Sequence, residues 1–278
     1  MFIGRKLLIA TKHHKEIVMA KHLQSSLGVL CEVTKNYDTD LLGTFSGEIE
    51  RNSSPLETVK QKCIGAMEKY GYDLGVANEG SFGPHPTLFF VPANEEYVIF
   101  IDKKNDLEIV VKKLSTDTNF SGRNIKNEIE LEKFIKAIHF PSHAVILRKS
   151  AHQNEEIIKD IKTKKDLLFH FKNFIDKYGQ VYVETDMRAM NNPTRMKLIE
   201  ATTIQLIEAI KSKCPQCESP GFVTIKYIPG LPCLLCAMPT KSIKMEVLGC
   251  KKCGYTREKN LDHPKKGEDP QFCDYCNP

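Results

Sequence analysis

The stretch from Gly71 to Pro86 reads G-Y-D-L-G-V-A-N-E-G-S-F-G-P-H-P. Its short apolar run, Leu74 to Ala77, signals a buried strand. A polar, glycine-punctuated turn is predicted to follow, carrying Asn78, Glu79, Ser81 and His85. In α/β proteins chemistry sits on loops at the carboxyl ends of strands, so Glu79 is an acid placed where a metal ion or a water could be held. A tight surface turn accounts for the same residues, because Gly, Pro and Asn favour turns on conformational grounds alone.

Upstream, Ser54-Pro55-Leu56-Glu57 opens a helix, with Ser54 as N-cap and Glu57 completing a capping box. Leu56, Val59, Cys63, Met67 and Tyr70 fall on one face, and Gly71 ends the helix. Glu57 is thus a cap, and a second acid that can face the site. Asn36 to Arg51 is polar and reads as a long loop. Lys6 to Ala10, K-L-L-I-A, reads as the first buried strand, followed by Thr11-Lys12-His13-His14-Lys15 and a helix ending at Gly28. Such a strand–loop–helix unit binds phosphate when helix N-terminal amides and lysines converge, here Lys12 and Lys15. Two solvated lysines at a helix start are the simpler alternative.

Downstream, strands are predicted at Leu88–Val91, Tyr97–Asp102 and Leu107–Leu114, with a loop over Ser115–Asn127. A helix follows over Glu128–Ile138 and a strand over His143–Leu147. Lys149–Lys165 reads as exposed helix and loop, Asp166–Tyr178 as a helix and Val181–Val183 as a strand. A second polar strand-to-helix turn, E-T-D-M-R-A-M-N-N-P-T-R, spans Glu184 to Arg195 and leads into a long helix opened by Pro193. Arg188, Thr194 and Arg195 are placed to bind a base, a phosphate or a carboxylate; a surface salt bridge is the plainer reading of each arginine. The alternation of strands and helices predicts an α/β fold, a mixed central sheet flanked by helices.

The chain has 278 residues, 41% hydrophobic and 27% charged, with a net charge of +5, which argues for a packed core over disorder. No apolar run is long enough for a signal segment or a membrane span, so a soluble cytoplasmic protein is expected. Eight of the ten cysteines lie in C-x-x-C pairs after residue 213: Cys214/Cys217, Cys233/Cys236, Cys250/Cys253 and Cys273/Cys276. That spacing points to metal. Paired consecutively, the knuckles form two Cys₄ zinc ribbons holding two structural zinc ions; interleaved pairing is the alternative. Lys251, Lys252, Arg257, Lys259, Lys265 and Lys266 make the tail basic, which suits RNA or DNA. A tail that packs on the first domain or joins two copies in a homodimer is the other reading. The expected domains are 1–212, α/β, and 213–278, a small zinc-ribbon domain.

Three pieces stand in order: Ala10-Thr11 with Lys15, Glu57-Thr58 leading to Asp73-Leu74-Gly75-Val76-Ala77-Asn78-Glu79-Gly80, and Thr185-Asp186-Met187-Arg188 with Pro193-Thr194-Arg195. Together they resemble the inosine/xanthosine triphosphatase superfamily, the house-cleaning nucleotide pyrophosphatases, over roughly Met1 to Ser212. Lys12, Asn78 and Ser81 depart from that family's pattern, and the segment from about Gly122 to Lys177 exceeds its length. The whole chain also resembles an uncharacterised bacterial family with a zinc-ribbon tail. The first resemblance implies Mg²⁺-dependent hydrolysis of a nucleoside triphosphate to monophosphate and pyrophosphate. It implies Glu79, Glu57 and Asp73 as catalytic carboxylates. Thr11, Lys12, Lys15, Ser81, His85, Arg188, Thr194 and Arg195 would line the nucleotide.

Overall fold

The first strand, β1 (Lys6–Ala10), is buried on both faces after Lys6, as an uninterrupted apolar run requires of an interior parallel strand. The computed structural model describes residues 1–34, 53–151, 153, 155–261 and 265–278; the loop expected over Asn36–Arg51 lies outside them. The chain divides into two compact units, Met1–Ile207 and Glu208–Pro278. The division falls inside the long helix, ahead of the expected boundary at residue 212, because the amide of Gly221 bonds to the carbonyls of Ala209 and Ser212 and gathers the helix end into the second unit.

In the first unit β1 is followed by α1 (Glu16–Leu27), β2 (Leu30–Val33), α2 (Pro55–Tyr70), β3 (Leu74–Pro84), β4 (Pro92–Asp102) and β5 (Leu107–Ser115). They form a mixed sheet in the order β2-β1-β3-β4-β5, parallel across the first three strands and antiparallel beyond. The Ser54–Glu57 capping box is present and Gly71 closes α2 in the left-handed conformation. Cys63, Ala66 and Met67 of α2 pack on Ala77, Ile99 and Ile101. Gly75 permits this approach, since a Cβ there would lie 2.5 Å from the Met67 sulfur.

The predicted turn after Ala77 is instead strand. β3 pairs with β4 from Leu74 to Pro84 without a break, and its residues from Leu74 to Gly80 are buried. The ladder satisfies the backbone that a turn would have left to water. The chain reverses over His85–Val91, where the amide of His85 bonds the carbonyl of Val91. The strand expected at Leu88–Val91 is therefore a hairpin tip with Phe89 and Phe90 exposed.

A second, antiparallel sheet follows in the same unit, ordered β6-β9-β7-β8. It comprises β6 (Gly122–Ile125), β7 (Val145–Arg148), β8 (Ile157–Ile161) and β9 (Val181–Thr185), with α3 (Glu128–Ala137), α4 (Lys164–Tyr178) and α5 (Pro193–Lys211) between and after them. Phe134, Phe171 and Phe174 of α3 and α4 cover one face, through Ile125, Val145, Leu147, Val181 and Val183. Strand register places Gly122, Ile146, Arg148, Tyr182 and Glu184 on the opposite face. The segment read as exposed helix and loop over 149–165 contributes β8, and the loop over 115–127 contributes β6. Both strands complete the second sheet. The second unit is built on a three-stranded antiparallel sheet, β10 (Val223–Pro229), β11 (Ile243–Gly249) and β12 (Thr256–Asn260).

Candidate functional site

β1 ends at Ala10, opposite Ala77, while β3 runs on. At this carboxyl end of β1 the two sides of the sheet each carry a buried carboxylate. Glu79, 3% exposed, pairs with Tyr97 in register and accepts from Lys62 Nζ of α2. Glu96, fully buried, stands opposite Gly80 and so faces the other side. Its Oε1 accepts from Arg195 Nε at 2.7 Å and its Oε2 from Asn78 Nδ2 at 2.9 Å. Arg195, at the start of α5, also donates through Nη1 to the Met187 carbonyl at 2.6 Å. Its guanidinium lies 5.1 Å from the centre of the Phe82 ring. Gly80 is required here, because a Cβ would stand 2.5 Å from Arg195 Nη2 and 2.6 Å from Glu96 Oε1.

Lys15 completes the cluster. It is the N-cap residue of α1, 3% exposed, and its amine has no hydrogen-bond partner among the described residues. Burial foremost, and then the charges of Arg195 and Lys62, push its pKa down to about 7, against the pull of Glu79 and Glu96. Among the described residues three cations, Lys15, Lys62 and Arg195, therefore meet two carboxylates, and each carboxylate already holds one cation. The loop before Lys15 has His13 and His14 in consecutive left-handed conformations, at φ 66° and 60°. The Lys15 side chain makes no cap bond to the α1 N-terminus. The amides of Ile17 and Val18 in the first turn bond the carbonyls of His14 and Lys15 at 3.3 and 3.2 Å, so the helix dipole and the buried Lys15 amine are what this end offers an anion. On the Glu96 side the Oδ1 atoms of Asn78 and Asn94 are buried without partners among the described residues.

The residues expected at the site divide accordingly. Glu79, Lys15 and Arg195 come together. Thr11 is buried at the end of β1, its hydroxyl donating to the Lys12 carbonyl at 3.1 Å. Ser81 follows Gly80, half-buried. Glu57 is exposed and occupied by its cap, accepting from the Ser54 amide and hydroxyl at 2.9 and 2.8 Å, which holds its carboxyl below the usual range. Asp73 precedes β3, 3.1 Å from Arg5. His85 sits in the exposed hairpin tip and accepts from the amides of Thr87 and Leu88. Arg188 is bound by Asp186 and Asp160. Thr194 lies 2.9 Å from His143 Nε2, which also accepts the Thr194 amide and so is the unprotonated ring nitrogen. Sequence reasoning missed Lys62, Asn78's partner Glu96, and Asn94. A signal existed: Asn94 and Glu96 alternate with the same period as Val98 and Phe100, which places two polar residues on a buried strand face.

In the second unit the eight C-x-x-C cysteines form two groups, Cys214/Cys217/Cys250/Cys253 and Cys233/Cys236/Cys273/Cys276. The consecutive pairing is thus corrected to the interleaved one. β10 and β11 run antiparallel, so the knuckle before Val223 meets the one after Gly249, while Cys233 belongs with the other end. The sulfur separations are 3.6, 3.6, 3.8 and 3.7 Å. Four thiolates at about 2.3 Å from a tetrahedral zinc stand about 3.8 Å apart, so both groups fit this ion and exclude disulfides. The Cys236 amide, followed by that of Leu235, draws the Cys233 thiol down to about 7, toward the thiolate that a metal takes.

A model of a family described as a domain of unknown function, DUF6671, matches residues 62–278. The chain belongs to the DUF6671 family. Lys62, Glu79, Glu96, Arg195 and both Cys₄ groups of this DUF6671 protein fall inside the match, and Lys15 falls before it. The match lends the nucleotide pyrophosphatase resemblance no support. No curated protein matches the chain. Among the described residues of this DUF6671 chain no helix is long and apolar enough to cross a membrane.

Proposed function

We propose that the α/β unit binds a nucleoside triphosphate through its phosphates at the β1–α1 loop. We further infer that it hydrolyses this ligand, with Mg²⁺, to the monophosphate and pyrophosphate. The observation that carries the reading is Lys15, a buried cation with no hydrogen-bond partner among the described residues, beside two carboxylates already matched by Lys62 and Arg195. A phosphate is a partner that suits such a group, and the α1 N-terminus adds its dipole. Lys12 and Thr11 lie in the same loop.

Hydrolysis rests on the resemblance and on Glu79. In the free site Lys62 neutralises Glu79. Phosphates would compete for Lys62, and the Glu79 carboxylate so freed would be the hard oxygen donor to hold Mg²⁺. When bound, Mg²⁺ supplies neutralisation of the polyphosphate charge. Pyrophosphate release from a panel of nucleoside triphosphates, by the zinc-replete full chain with Mg²⁺, tests this step. Turnover is expected, with loss in Glu79→Gln. A folded chain that turns over none of the panel leaves a nucleotide-binding protein and removes the hydrolase.

Zinc is the ion proposed for both Cys₄ groups, in a structural role, since four thiolates leave no position open. RNA or DNA draws less support as a partner of the tail. Residues 208–278 hold eleven lysines and arginines against eight aspartates and glutamates. Each zinc with four thiolates carries two negative charges, so the loaded tail has about one net negative charge.

A further inference from the structure

The face of the second sheet away from α3 and α4 bears a cavity of about 280 Å³. Ile146 forms an apolar side, and Met187 and Phe120 line it further. Two polar groups from β9 converge on it, Tyr182 and Glu184. Glu184 Oε1 accepts from Arg148 Nη2, and its Oε2 has no hydrogen bond among the described residues. The Tyr182 hydroxyl is likewise without a hydrogen bond among the described residues. Gly122 makes room for it, since a Cβ there would lie 2.3 Å from that oxygen. Asp186, also in the lining, is fully occupied by Arg188 and Asn191.

The cavity adjoins the charge cluster. The Met187 carbonyl accepts from Arg195 Nη1 at 2.6 Å, and the Phe120 ring lies 5.6 Å from Phe82, the ring under the Arg195 guanidinium. A ligand with phosphates at Lys15 would thus extend toward a slot lined by Phe120, Ile146 and Met187 together with the polar Ser121, Tyr182, Glu184 and Thr185. Apolar surface beside convergent polar groups is what a small-molecule pocket offers.

We propose that this cavity receives the base of the nucleotide, a neutral planar ring presenting N–H donors to Glu184 and Tyr182 and lying against Phe120 and Met187. The proposal rests on the phosphate-site reading above and names the ligand class of that same site. A neutral ring is favoured over a second cation because Arg148 and Arg188 already stand at the acids. Burial raises the Glu184 carboxyl above its ordinary range despite Arg148, so an N–H donor at Oε2 replaces hydration that burial has removed.

Titration calorimetry of the zinc-replete full chain tests this with three probes. Guanosine offers the ring and its donors, purine riboside the ring without donors on its six-membered part, and tripolyphosphate the phosphates alone. Guanosine is expected to bind about tenfold or more tighter than purine riboside. Glu184→Ala is expected to erase the difference, and Tyr182→Phe, which removes one hydroxyl and spares the packing, to reduce it severalfold. Equal binding of the two nucleosides, or guanosine affinity unchanged in both variants, overturns the proposal. Tripolyphosphate binding without guanosine binding removes the base pocket alone. Guanosine binding without tripolyphosphate binding keeps the pocket and removes the phosphate site.

Discussion

Arg195 Nε donates to Glu96 Oε1 at 2.7 Å with neither side chain exposed, joining α5 to β4 across ninety-nine residues of chain. The pair ties the polar start of α5 to the first sheet and fixes the charge balance around Lys15. Removing one partner leaves an uncompensated buried charge, so Arg195→Met or Glu96→Leu alone is expected to lose about 3–5 kcal/mol of stability. The double variant is expected to lose well under the sum. Urea denaturation of the full chain measures all three, and additive losses would deny that the two residues are coupled.

Gly80 is expected to be intolerant for the same reason. Its position admits no Cβ beside Arg195 Nη2 and Glu96 Oε1. Gly80→Ala should cost about 1–3 kcal/mol by forcing the pair apart. Gly83→Ala, which meets nothing within 4 Å, is the control. Thermal melts of equal midpoint for the two would show that the ion pair gives way freely.

The cysteine pairing has a direct chemical readout. Removing Cys214 and Cys250 together disables one group, whereas removing Cys214 and Cys233 disables both. Metal analysis of the serine double variants is expected to return about one zinc per chain for the first and none for the second. The opposite order would restore consecutive pairing.

Lys15 makes anion binding depend on pH. The unfolded chain keeps a lysine proton to about 10.4, and the folded one sheds that of Lys15 near 7. Between those values the unfolded state binds more protons, so this group makes stability rise with pH. Anion affinity moves the other way. It is full while Lys15 is charged and falls above pH 7, by up to about tenfold per unit, as binding must then take up a proton. Calorimetry of tripolyphosphate against Lys15→Arg, whose charge does not titrate, cancels the ionisation of the ligand. Parallel pH profiles for the two proteins would contradict a titrating Lys15.

Much of the scaffold is legible in local signals. S-P-L-E announces the α2 cap, K-L-L-I-A announces an interior strand, and four C-x-x-C pairs announce two metal groups. Glycines misled at Gly71–Pro86, where Gly80 and Gly75 serve close packing inside a strand and not a turn. Phe89 and Phe90 imitate a strand but stand exposed in a hairpin tip, with no strand partner among the described residues. The charge cluster was half visible. Glu79, Lys15 and Arg195 stand in suggestive segments, while Glu96 and Lys62 look like solvated residues of a strand and a helix. Only tertiary pairing, with Arg195 and Glu79, gives them a buried role. Cysteine pairing was open because it depends on strand direction, which spacing does not encode.

The claim on which the account turns is that Lys15 awaits a phosphate. Calorimetric titration of the zinc-replete full chain with tripolyphosphate at pH 6.5 measures it most directly, beside a folded Lys15→Met variant. One saturable site is expected in the first protein, with affinity at least about tenfold lower in the second. No binding to the unsubstituted chain, or equal affinity in the two, would contradict it.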